Sequence, residues 1–95
     1  MYSLSAKAST DLDSILDYSM INFGASVMIE YHASLEKCFE TLDGHPDLGI
    51  EVEHIRSDYL SFQHRSHLIF YKKLNKGILI VRLLHKCMDA PRHFN

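Results

Sequence analysis

Apolar positions recur at spacings of three and four along the first half of this chain, and at spacing two or in short runs along the second half. Behind Ser5, a suitable N-cap, Ala8, Leu12, Ile15 and Ser19 follow the 3.6-residue period and Phe23 continues the stripe. That spacing predicts a helix over Ala6–Asn22. Asp11, Asp13 and Asp17 fall mostly off the stripe and read as a solvated face; acid near a helix start also complements the macrodipole. Gly24 supplies a C-terminal stop. A second stripe, Met28, Tyr31, Leu35, Cys38, Phe39 and Leu42, predicts a helix that starts near Ala25 or Ser26. Asp43-Gly44-His45-Pro46 ends it. A link of two or three residues forces the pair into an antiparallel hairpin, about residues 6–42.

The second half reads as strands, about residues 52–87. Tyr59-Leu60-Ser61-Phe62 alternates and is followed by a turn around His64–Ser66. His67–Lys73 contains LIFY, rich in strand-favouring types. Leu74-Asn75-Lys76-Gly77 is a hairpin signal. Ile78–His85 reads ILIVRLLH, apolar on both faces apart from Arg82 and His85, so it should be a central or well-covered strand. Val52–Arg56 offers a further strand, and Tyr2–Leu4 a short edge segment. Segregated elements of this kind predict an α+β domain: a short N-terminal strand, then a helical hairpin packed on a three- to four-stranded antiparallel sheet.

Composition adds a split that the net charge of −2 conceals. Residues 1–53 carry 2 basic and 10 acidic side chains; residues 54–95 carry 8 basic and 2 acidic. An asymmetry of this size suggests two faces with different partners. Ninety-five residues make one domain. At 46% hydrophobic and 23% charged the chain is an ordinary globular protein. No apolar run approaches a membrane span, and MYSLSAKAST lacks the apolar core of a signal peptide, so a cytoplasmic protein without membrane association is expected. Cys38 and Cys87 fit that compartment as reduced thiols, one of them in the core.

Candidate chemistry is sparse. His64-x-x-His67 and His85-x-Cys87 bring ligand-type side chains near one another, but the four-ligand grammar of a structural zinc site is missing, and no metal is expected. There is no nucleophile elbow and no Gly-rich loop for a nucleotide phosphate; no cofactor is expected. Arg82 is the one charge inside ILIVRLL. With Leu79, Val81 and Leu83 turned toward the helices, Arg82 shares the open face with Ile80 and Leu84. There it is either a structural ion pair, with Asp89 or Glu53 as the carboxylate, or a residue facing a partner. The last eleven residues, from His85, leave the final strand as a tail of a kind that usually frays. Its Met88, Arg92 and Phe94 are types that favour interfaces.

Four segments in order resemble the ParE toxins of the RelE/ParE superfamily, the toxic halves of bacterial type II toxin–antitoxin pairs. They are LSAKASTDLDSILDYSMINFG at 4–24, HPDLG at 45–49, IRSDYLSFQHRSHLIFYK at 55–72 and GILIVRLLHKCMDAPRHF at 77–94. Three stretches depart from the family pattern. Ile50 stands where an Arg is usual, Arg56-Ser57-Asp58-Tyr59-Leu60 stands for RPGYR, and Arg65-Ser66 stands for the hairpin GS. The resemblance implies a RelE-like fold and a toxin that inhibits DNA gyrase by binding, without chemistry of its own. It implies a cognate, ParD-like antitoxin that wraps the groove between helices and sheet, in a heteromeric complex where the antitoxin alone contacts DNA. It places toxicity in the C-terminal segment, so the target-binding candidates are Arg82, His85, Met88, Asp89, Arg92, His93 and Phe94, with Arg56 and Arg65 secondary. RelE-type relatives instead cut mRNA on the ribosome, using basic residues and a general acid; Arg56, Arg65, Arg82, His85 and His93 are the candidates for that alternative. A pI of 6.4 is low for a nucleic-acid binder. An inactive, antitoxin-binding relative is the third reading.

Overall fold

The structure is a computed structural model that describes residues 1–88 and 90–94. Its elements run β1 (Tyr2–Leu4), α1 (Ala6–Phe23), α2 (Ala25–Gly44), a 3₁₀ turn at Pro46–Leu48, β2 (Ile50–Glu51), β3 (Tyr59–His64), β4 (His67–Lys73), β5 (Ile78–His85) and a C-terminal 3₁₀ helix, Ala90–His93.

The two helices form where the apolar periodicity places them. Ser5 caps α1, its hydroxyl accepting from the Ala8 N–H. Gly24 is the whole link between the helices. At φ 91° it turns the chain where an L side chain would be strained, and its N–H closes the end of α1 on the Met20 carbonyl. Phe23 does not continue the buried stripe: it sits exposed at the hairpin tip.

Among the described residues the sheet has five strands in the order β1-β5-β4-β3-β2. Strands β2 to β5 are antiparallel, as the sequence predicts, whereas β1 joins parallel to β5, Tyr2 beside Ile78 and Leu4 beside Ile80. The strand expected over Val52–Arg56 is displaced. Ile50–Glu51 pairs with Ser61 and Leu60, and the chain turns behind it, Ile55 and Arg56 N–H groups both closing on the Val52 carbonyl.

Two apolar layers flank the sheet. Ala8, Leu35, Phe39 and Leu42 from the helices pack on Leu60, Ile69, Tyr71, Ile78, Ile80 and Leu83. On the opposite face Val52, Phe70, Val81 and Leu84 form a second cluster. Strand β5 is thus covered on both sides. The connector HPDLG is fixed to the first layer by Tyr71. The Tyr71 hydroxyl donates to the Pro46 carbonyl at 2.6 Å and accepts from the Gly49 N–H at 2.9 Å. A side chain at position 49 would run into the Tyr71 ring, which is why glycine stands there.

The face assignment along β5 needs correction. Phe70 pairs with Arg82 but Tyr71 pairs with Ile80, so Val81 is an extra, bulged residue. A bulge shifts the alternation by one. Leu79 and Val81 therefore belong to the outer cluster and Ile80 to the inner one, while Leu83 faces the helices as expected. Arg82, opposite Phe70, keeps the outer face with Leu84.

Candidate functional site

Residues 90–94 of the C-terminal segment are packed on the sheet and not free. Its 3₁₀ helix returns across the outer face of the sheet, and the Phe94 ring packs edge-on against Phe70 and Tyr59, with centroids 5.0 and 5.6 Å apart. Ala90 and Phe94 extend the outer cluster. Two arginines hold the returning backbone: Arg56 donates to the Phe94 carbonyl at 2.8 Å and Arg82 to the His93 carbonyl at 2.9 Å. Arg92 and Met88 are exposed on the outside of this segment. Asp89, the other carboxylate expected for Arg82, lies outside the described residues.

Among the described residues the carboxylate that pairs with Arg82 is Asp11, not Glu53. The Arg82 Nε and one terminal nitrogen donate to the two Asp11 carboxylate oxygens at 2.7 and 3.0 Å, and both side chains are only 15% exposed. The carboxylate raises the guanidinium pKa further. Asp11 therefore leaves the solvated face predicted for it. The reason is where β1 ends. Beyond Leu4, the edge of β5 has lost its neighbouring strand, and side chains of α1's start replace it. Ser5 Oγ donates to the Val81 carbonyl at 2.9 Å, and Asp11 accepts from the Leu83 N–H at 3.0 Å.

A concavity lies on the helix side. It is a groove of about 350 Å³, with Ile15, Tyr18, Phe23 and Val27 as apolar wall and Arg65, His67 and His85 at one end. Its floor is a histidine group brought together by the β3–β4 turn and the cross-strand pair His67–His85. Tyr31 Oη is 2.7 Å from His67 Nδ1, Ser34 Oγ is 3.0 Å from His64 Nε2, and the His67 and His85 rings meet edge-to-face at 5.5 Å. Burial, then the neighbouring imidazoles, hold the His67 pKa below its ordinary value; burial and Arg65 do the same to His64. Arg65 sits at φ 53° and makes a two-point ion pair with Glu30, its guanidinium over the Tyr31 ring. Tyr31 and the apolar wall line this groove, and Ser34 and Glu30 bond the neighbouring His64 and Arg65; the sequence gives none of them as a site.

The predicted residues thus fall on two faces. Arg56, Arg82, His93 and Phe94 converge on the outer face, and Arg65 and His85 line the groove. Among the described residues no group of three or more His, Cys, Asp or Glu is arranged to hold a metal ion. Cys38 is half-buried and Cys87 exposed, both as free thiols.

The family model described as the ParE toxin of the type II toxin–antitoxin system parDE matches residues 2–90. The chain belongs to the ParE toxin family. Toxin ParE1 of Caulobacter vibrioides is 34% identical over 92 residues, spanning 97% of this chain and 95% of that protein. A solved structure described as the chromosomal ParDE TA system from P. aeruginosa superimposes with a TM-score of 0.75 at 16% identity, covering 88% of this chain and 92% of that one. The α+β, RelE-like fold expected from the sequence is the one found, and this ParE-family chain is a toxin of a type II toxin–antitoxin system. No described helix is long and apolar enough to cross a membrane.

Proposed function

We propose that this ParE-family toxin inhibits DNA gyrase by binding it through the outer face, and that a ParD-like antitoxin neutralises it by occupying the groove on the helix side. The observation that carries this reading is the C-terminal return. The segment to which the resemblance assigns toxicity has its described residues 90–94 anchored by Phe94 and by the Arg56 and Arg82 bonds to its carbonyls, with Arg92 and Met88 exposed. Aromatic and Arg-rich surfaces of this kind are what protein targets meet.

The groove suits an amphipathic antitoxin segment, since Tyr18, Ile21, Met20, Val27 and Ile29 leave the hairpin tip apolar and exposed. The geometry favours binding over mRNA cleavage. Arg82 is committed to Asp11 and His93, Arg65 to Glu30, and His85 and His93 lie on different faces, so the candidate acid, base and phosphate-stabilising groups do not converge on one point.

Purified protein added to a gyrase supercoiling reaction tests the proposal. Supercoiling should fall with toxin concentration and recover when the cognate antitoxin is added, and ribosome-dependent mRNA cleavage should be absent. Gyrase unaffected by excess toxin overturns the reading.

A further inference from the structure

The outer face carries a feature that binding a protein target does not explain. Beside the C-terminal return lies a cleft of about 410 Å³, within the size range of small-ligand sites, lined by Ser5, Ala6 and Lys7 at the start of α1, by Tyr59, Lys72 and Leu79 across the sheet, and by Arg56, Arg82, His93 and Phe94. Lys7, Lys72 and Arg56 bring three positive charges to it from three elements distant in sequence. No carboxylate of the described residues lines it. The adjacent Asp11 is neutralised by Arg82, and among the described residues Lys7, Lys72 and Arg56 form no ion pair.

The arrangement is placed by the fold rather than scattered on a surface. Lys72 stands in one cross-strand row between Tyr59 and Leu79, and the Arg56 guanidinium is tied by its bond to Phe94. At the same wall α1 begins. Ser5 Oγ takes the Ala8 N–H, leaving the earlier N–H groups of that turn ahead of the helical ladder and the positive end of the helix dipole toward the cleft. Like charges gathered in this way repel, at a cost that an anion removes. Lysine and arginine with a helix start are the donor set for phosphate oxygens. The Tyr59 and Phe94 rings flank the position as an apolar wall.

We infer that this cleft is a binding site for a small phosphorylated ligand carrying at least two negative charges, of the pyrophosphate or nucleoside diphosphate class. A polymer is disfavoured, because the C-terminal 3₁₀ helix flanks the cleft and the chain as a whole is acidic. The site is independent of whether gyrase is the target.

Calorimetric titration of the full chain with pyrophosphate and with ADP at low salt tests it. Saturable binding at one site is expected, weakened about tenfold or more in Lys7→Ala/Lys72→Ala, weakened by added salt, and unchanged in Lys86→Ala, whose side chain lies outside the cleft. Tighter binding of ADP than of pyrophosphate also supports the site and gives the flanking rings a base to meet. Far-UV circular dichroism of each variant separates a lost ligand from a lost fold; if the double variant unfolds, Lys7→Gln and Lys72→Gln singly carry the comparison. Unsaturable binding, equal weakening by Lys86→Ala, or capture of a single-stranded RNA that pyrophosphate does not displace overturns the inference.

Discussion

Asp11 and Arg82, 71 positions apart in the chain, meet in a two-point ion pair in which one Asp11 oxygen also receives the Leu83 N–H. One carboxylate therefore neutralises a charge inside the sheet and completes a strand edge that β1 is too short to cover. Removing it leaves the Arg82 guanidinium without its counter-charge, held only by the His93 carbonyl, and the Leu83 amide without an acceptor. Asp11→Ala should cost about 2–4 kcal/mol in urea unfolding. Asp11→Asn, which keeps an acceptor but not the charge, should cost about half of that. A loss below about 0.5 kcal/mol for Asp11→Ala would contradict the assignment.

The C-terminal return predicts that Phe94 is part of the fold. Phe94→Ala should destabilise by about 1–3 kcal/mol, less than a fully buried Phe because the ring is only half-covered. Amide exchange should quicken at Tyr59 and Phe70. Deleting residues 88–95 removes this packing together with any target contact, so loss of toxicity on truncation does not by itself locate a target surface.

The separation of faces predicts separable functions. Arg92→Ala, an exposed change outside the cluster, should lower growth inhibition and gyrase inhibition with antitoxin binding intact. Val27→Asp, in the groove wall, should weaken antitoxin binding about tenfold or more and leave gyrase inhibition unaltered. Growth assays paired with pull-downs read both, and a shared response of the two variants would sink the two-face arrangement.

The histidine group predicts a pH dependence with a definite sign. His67 and His64 have pKa values below the ordinary 6.5 in the folded chain, His67 from burial and the His85 and His64 imidazoles, His64 from burial and Arg65. Below pH 6.5 the unfolded chain therefore binds more protons than the folded one, so their stability contribution is complete above that pH and is lost as pH falls toward the folded values. Urea midpoints should drop between about pH 7 and 5. In His64→Gln/His67→Gln that drop should shrink; an unchanged slope would show that other groups govern it.

Much of this was legible in the residues. The helix boundaries followed from period, Ser5 and Gly24, because a stripe at 3.6 spacing has few alternative structures. The hairpin strands followed from LIFY, the Lys76-Gly77 turn and ILIVRLLH. What escaped was set by contacts between distant segments. The bulge at Val81 has no local signal, since Ile, Leu and Val fit either face of a doubly covered strand, and so strict alternation puts Leu79, Ile80 and Val81 on the wrong faces. Asp11 looked solvated because its partner is 71 residues away. The tail looked free because the surface that receives Phe94 is assembled from β3, β4 and the Val52 turn. The groove was hidden for the same reason: Tyr31 reads as core at helical spacing until the β3–β4 turn brings His67 to its hydroxyl.

The parallel pairing of β1 with β5 sets the order in which the molecule can become itself during synthesis. The first strand emerges from the ribosome long before Ile78–Ile80, its only neighbour among the described residues, exists. Until then Ser5 lacks the Val81 carbonyl, Asp11 lacks Arg82, and the helical hairpin has no sheet to cover its inner stripe. Closure waits on the most distant contacts in the chain, the slow kind for any topology. A nascent toxin thus spends its elongation time unassembled, and its outer surface, with both arginine clamps, arises only after the last strand and the residues beyond it have been made.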